Sequence, residues 1–156
     1  MNNNTITGAS GEFFVAAYLS ALNLVVALPR GGVPSSDLLV TTEKGEKTIS
    51  LQVKTAKSPF NRSKKWDDYL AWAMPSKPIS VSDTHWYAFV DLNNWPEGDK
   101  TPEVFLVPSA KVKSAFEKEN KPNAKRFFFV LYLREANQYK GQSGHNSLLK
   151  ELQSTP

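Results

Sequence analysis

The 156-residue sequence contains no cysteine. Disulfide bridges, thiolate zinc sites and a thiol nucleophile are therefore excluded. The two histidines, His85 and His145, stand far apart, with neither the spacing of a metal pair nor that of a catalytic triad. No apolar run approaches the roughly 18–20 residues that a membrane-spanning helix needs. The opening residues, Met1-Asn2-Asn3-Asn4-Thr5, lack the basic and apolar segments of a secretory signal. A glycine-rich phosphate loop is missing as well, so chemistry driven by ATP would need a partner. These absences fit a reducing, cytoplasmic setting. What is present is ordinary: 40% hydrophobic and 22% charged residues make a soluble globular composition. The length suits a single domain over residues 1–156 with a sizeable core. A net charge of +4 leans toward anionic partners.

Helix and strand patterns alternate along the chain. Residues 8–22 read as a helix, with Phe14, Ala17, Tyr18, Ala21 and Leu22 at helical spacing and Thr7 or Ser10 as its cap. Leu24–Leu28 reads as a short strand stopped by Pro29 and Gly31-Gly32. Two strands follow, at 37–42 and 47–55, joined through Glu43-Lys44-Gly45-Glu46 as a hairpin. The mixed segment 57–78 has helical character around Trp66–Met74. Trp86–Val90 and Val104–Val107 read as strands, Pro108-Ser109 opens a helix to about Glu119, and Phe127–Leu133 is a last strand. Ser147–Leu152 reads as a short helix within a loosely held tail, 138–156. Strands alternating with helices around one sheet imply a mixed α/β architecture.

Glu12, Asp37 and the tripeptide Gln52-Val53-Lys54 place polar groups where the apolar pattern does not ask for them. If the hairpin connection has an even number of residues centred between Lys44 and Gly45, Glu43 pairs with Glu46, and counting outward sets Asp37 opposite Gln52. A three-residue loop would break that pairing. Directly opposed residues hold their Cβ atoms about 4.5–5.5 Å apart. Alternation puts Gln52 and Lys54 on one face of their strand and Leu51 and Val53 on the other. A carboxylate, an amide oxygen and an ammonium then share one patch. A hard cation such as Mg²⁺ takes oxygen ligands of this kind, and the lysine supplies charge for a developing transition state. Glu12, at the start of the first helix, adds a carboxylate if that helix end lies against the patch.

Gly11-Glu12, Ser36-Asp37-Leu38-Leu39-Val40 and Leu51-Gln52-Val53-Lys54-Thr55 resemble the motifs of the PD-(D/E)xK, or restriction-endonuclease-like, nuclease superfamily. The resemblance implies an α/β fold with a central mixed sheet flanked by helices. Its αβββαβ core would span about 8–92 and a β-α-β extension about 93–137. It also implies a metal-dependent endonuclease acting on DNA, with Mg²⁺ or Mn²⁺ as cofactor. Asp37 would be the central metal-binding carboxylate, Glu12 a helix-borne one, Val53 the donor of a backbone carbonyl and Lys54 the catalytic lysine. Gln52 departs from the common acid, in the manner of Mrr-type relatives that carry Gln-x-Lys. A homodimer would suit double-strand cutting, and a catalytically silent protein binding nucleic acid or a protein partner is the alternative.

Past the motif strand, Lys57, Arg62, Lys64 and Lys65 are candidates for contacting a phosphate backbone, and Arg30 is a candidate from the preceding loop. Trp66, Tyr69 and Trp72 offer either base stacking or core packing, and at least two are expected to pack onto the core. Lys121, Lys125 and Arg126 read as an ordinary exposed connection.

Overall fold

A computed structural model describes residues 3–29, 36–119 and 123–154. Its elements run α1 (Asn3–Ala21), β1 (Val25–Ala27), β2 (Leu38–Thr41), β3 (Thr48–Ala56), β4 (Phe60–Asn61), β5 (Tyr69–Pro75), β6 (His85–Asp91), β7 (Glu103–Pro108), α2 (Ser109–Glu119), β8 (Arg126–Tyr132), α3 (Leu133–Ala136) and α4 (Gly141–Gln153). Arg30 and Lys121, singled out in the sequence, lie outside the described residues.

A five-stranded sheet in the order β1-β2-β3-β6-β7 forms the centre. Its β3–β6 pair is parallel and the other pairs are antiparallel, so the sheet is mixed. The hairpin register is the one counted from the sequence: Leu38 faces Leu51, Val40 faces Ile49 and Thr41 faces Thr48. The ladder ends at Leu38 and Leu51; carried one residue further, that register would set Asp37 opposite Gln52.

Strand alternation sends Ile49, Leu51 and Val53 into one core with Leu38, Val40, Trp86, Ala88 and Val90, under Val15 and Leu19 of α1 and Leu148 and Leu152 of α4. Ser50, Gln52 and Lys54 stay half-buried on the opposite face. That face carries a second core, in which Tyr87, Phe89, Phe105 and Val107 pack against Leu70, Trp72, Met74, Phe127, Phe129 and Leu131 of a second sheet, β4-β5-β8, with Val112 of α2. Helices therefore flank both faces.

Four expectations are corrected. Trp66–Met74 is not helical: Tyr69–Pro75 is the central strand of the second sheet, paired along its length with β8. Leu70, Trp72 and Met74 point inward at a period of two, and the small apolar Ala71 and Ala73 between them hide that period in the sequence. The first helix begins at Asn3 rather than near Gly8, so Thr7 and Ser10 are interior residues, and Ser10 Oγ bonds the Thr7 carbonyl at 2.8 Å. The final stretch is part of the fold rather than a loose tail. There α4 buries Leu148 and Leu152, and Lys47 in the hairpin pairs with Glu151. Of the three aromatic candidates, only Trp72 enters the core, where its Nε1 donates to the Val90 carbonyl at 2.9 Å. Tyr69 is half-buried, edge-on to Tyr132, and Trp66 is 71% exposed.

Candidate functional site

Beyond Leu51, β3 continues past the start of β2, and Asp37 takes over the pairing with its side chain. The Asp37 N–H donates to the Leu51 carbonyl at 2.8 Å, and the Val53 N–H donates to Asp37 Oδ2 at 2.7 Å. In a strand, the N–H and C=O of one residue point to the same edge. The Val53 carbonyl therefore faces the edge where the Asp37 carboxylate sits.

Glu12 reaches the same place from α1. The helix can lie this close because Gly11 faces β3: a Cβ at Gly11 would sit 1.8 Å from Thr55 Oγ1. Since α1 starts at Asn3, Glu12 lies well inside the helix, where the N-terminal dipole gives it no particular support. Its carboxyl is raised above the ordinary glutamate range, first by burial and then by the charge of Asp37, while Lys54 pulls it back. Lys54 is lowered by burial, and the carboxylates of Asp37 and Glu12 oppose that shift. Glu12, Asp37 and Lys54 thus lie within one another's electrostatic field. This is the convergence that sequence reasoning made conditional on where the helix end lies.

Gln52 stands beside Lys54 on the sheet face, and both line a groove of about 220 Å³ walled by the segment from Met74 to Ser80 and ending at His85. Among the described residues no group of three or more His, Cys, Asp or Glu converges. The candidate donors are the carboxylates of Glu12 and Asp37, the Val53 carbonyl and the Gln52 amide oxygen. These are hard oxygen donors of the kind that suit Mg²⁺ or Mn²⁺ rather than a soft metal. A cation between Glu12 and Asp37 would also relieve the Asp37 repulsion that, after burial, raises Glu12.

The remaining candidates are more dispersed. Lys57 is exposed and lines a cavity with Thr7 and Ser10 of α1, before Glu12. Arg62, Lys64 and Lys65 are exposed on the loop after β4. Because β4 pairs with the Tyr69–Leu70 end of β5, while Met74 borders the Gln52 groove, that loop lies about 15 Å along β5 from the groove at ~3.3 Å per residue. Sequence reasoning set His85 aside as isolated and did not single out Ser50 or Lys77. The parallel β3–β6 register that seats His85 beside Ser50 leaves no local signal in the chain.

Neither a scan against protein-family models nor a search of curated proteins gives a match. Among solved structures, the bacterial homing endonuclease I-Ssp6803I is similar at 15% identity with a TM-score of 0.56, covering 97% of this chain and 95% of that one. The fold is restriction-endonuclease-like. Hjc, a Holliday junction resolvase from Archaeoglobus fulgidus, matches at 10% identity and a TM-score of 0.49, over 90% of this chain and 94% of that one. At these identities the likeness concerns the fold. Among the described residues no helix is long and apolar enough to cross a membrane.

Proposed function

We propose that this chain is a divalent-metal-dependent nuclease that hydrolyses DNA phosphodiester bonds at Glu12, Asp37, Gln52, Val53 and Lys54. The observation that carries the reading is that Glu12 of α1, Asp37 just ahead of β2 and Lys54 of β3 lie within one another's electrostatic field, with Asp37 bonded to the Val53 N–H and Gly11 packed against Thr55. Glu12, Asp37, the Val53 carbonyl and the Gln52 amide oxygen would hold Mg²⁺ or Mn²⁺. When bound, the ion polarises the phosphoryl oxygen and lowers the pKa of a coordinated water.

The chain's own groups divide the remaining work. Asp37, fixed by the Val53 N–H, presents a carboxylate of set orientation. Lys54 places an ammonium beside the scissile phosphate, where it stabilises charge developing on the phosphoryl oxygens. Its partial burial strengthens that interaction by excluding water. Lys57 and the exposed loop cations Arg62, Lys64 and Lys65 would contact flanking backbone, a sequence-independent and salt-dependent contribution.

The test is cleavage of duplex, single-stranded and branched DNA with Mg²⁺ or Mn²⁺, using Asp37→Asn and Lys54→Ala as controls. Cleavage by the wild type and none by either variant is the expected result. Activity surviving in a variant refutes the site. Tight DNA binding without cleavage of any substrate favours a silent binding protein, a reading that the neutral Gln52 keeps in play.

A further inference from the structure

The groove beside Gln52 and Lys54 holds groups that the hydrolytic reading does not use. In the β3–β6 register Ser50 faces His85 and Gln52 faces Tyr87, so Ser50, Gln52 and Lys54 form one row and His85 and Tyr87 the next. His85 is 9% exposed, and its Nδ1 lies 2.8 Å from Ser50 Oγ. Ser50 Oγ in turn donates to the Thr84 carbonyl at 3.2 Å. With that hydroxyl proton committed, Ser50 accepts from Nδ1–H, and the other ring nitrogen is left as an acceptor. Burial lowers the His85 pKa and so disfavours the doubly protonated ring. The opposite wall carries Lys77 and Ser80, both exposed.

The lining contains two ammonium groups, Lys54 and Lys77, and no carboxylate. An anionic occupant is therefore favoured. From Lys54 back to the level of Ser50 and His85 is four residues of strand, about 13 Å at ~3.3 Å per residue. That is more than one phosphate of a nucleic-acid strand occupies. The groove is continuous with Lys54, so a strand whose scissile phosphate sits at Lys54 has its neighbouring nucleotide in line with it.

We infer that this groove is a subsite for the nucleotide next to the scissile bond, with Lys77 contacting its phosphate and His85, oriented by Ser50, accepting a hydrogen bond from an N–H of its base. The inference rests on the nuclease reading and names where the substrate strand runs. Lys77 and His85 are here binding residues, acting on position rather than on the reacting atoms.

The experiment uses the full chain in EDTA, where binding is read apart from cleavage, by fluorescence anisotropy on a set of oligonucleotides each carrying one neutral methylphosphonate. Wild type is expected to lose affinity when the neutral linkage lies one position from the cleavage point, and Lys77→Ala to be insensitive to that same replacement. For Lys77→Ala the slope of log K against log salt falls by about 0.7–1, as for one lost phosphate contact. His85→Gln, which retains an acceptor, is expected to bind more tightly than His85→Phe. Thermal unfolding of both His85 variants separates this effect from loss of fold. If wild type cleaves in an Asp37-dependent way while Lys77→Ala keeps the wild-type salt slope and linkage profile, the subsite is wrong and the nuclease reading stands. If wild type neither binds nor cleaves DNA, the nuclease reading itself fails.

Discussion

The carboxylate of Asp37 accepts the backbone N–H of Val53, 16 residues away, at 2.7 Å. One side chain thus completes a sheet ladder and faces the candidate metal position. Val53 is 8% exposed, and a buried N–H left without an acceptor costs about 1–3 kcal/mol. Asp37→Ala therefore removes both a candidate ligand and a structural acceptor. Asp37→Asn keeps the acceptor and removes the charge. We expect Asp37→Asn to abolish cleavage with a melting temperature near wild type, and Asp37→Ala to abolish it with a clearly lower one. Equal melting temperatures for the two variants would mean that the hydrogen bond contributes nothing.

A second expectation concerns Glu12. Burial and Asp37 raise its pKa in the folded protein, so the folded state disfavours the ionised form. The sign follows: its contribution to stability is present below the ordinary glutamate pKa and is lost as pH rises through the raised value. Without divalent cation, Glu12→Gln should be more stable than wild type at neutral pH, and the gap should close on acidification. Adding Mg²⁺ should raise the melting temperature of wild type more than that of Glu12→Gln, because binding to the folded state alone stabilises it. Unfolding curves at several pH values, with and without Mg²⁺, check both statements.

Gln52→Glu offers a gain rather than a loss. A carboxylate at this position adds a charged oxygen donor next to Lys54. The Mg²⁺ concentration giving half-maximal cleavage should fall, whereas Gln52→Ala should raise it. A Mg²⁺ titration of cleavage in which all three proteins coincide would remove Gln52 from the ligand set.

Gly11 is the contact that lets α1 approach β3. An alanine there meets Thr55 Oγ1 at 1.8 Å and Thr55 Cβ at 2.8 Å, and overpacking of this kind typically costs about 1–3 kcal/mol. Gly11→Ala should lower stability by that order. It should also reduce cleavage beyond what stability explains, because the helix that moves carries Glu12. Denaturant unfolding together with cleavage under conditions where the variant is fully folded separates the two effects.

The local geometry of the candidate site and the fold class were legible in the sequence, and several elements around them were not, for physical reasons. The hairpin whose register points Asp37 toward Gln52 is local: a six-residue connection, Thr42 to Lys47, and strict alternation determine that register, and Gly45, at φ +68°, supplies the turn. The position of Glu12 followed from helical periodicity, although its place well inside α1 did not, because the polar Asn3–Thr7 stretch gives no apolar signal. Strand β5 was read as helix because Leu70-Ala71-Trp72-Ala73-Met74 is apolar at every position, which suits either period. Helix α4 was only half seen, since Gly141 to Asn146 is polar and carries two glycines. His85 had no sequence signal at all. Its partner Ser50 is 35 residues away, on a parallel neighbour that only the assembled sheet brings alongside.

The second sheet packs on the face that bears Gln52 and Lys54, with Met74 and Pro75 at the groove wall, and Lys54 stands where β3 runs past the start of β2, leaving that edge of β3 without a strand partner. A duplex approaching such an edge offers one of its two backbones at a time. On closed circular DNA, a lone copy of this protein would accordingly release nicked circles first, with linear molecules following only after a second engagement. The ratio of nicked to linear product then becomes a direct count of how many copies act together.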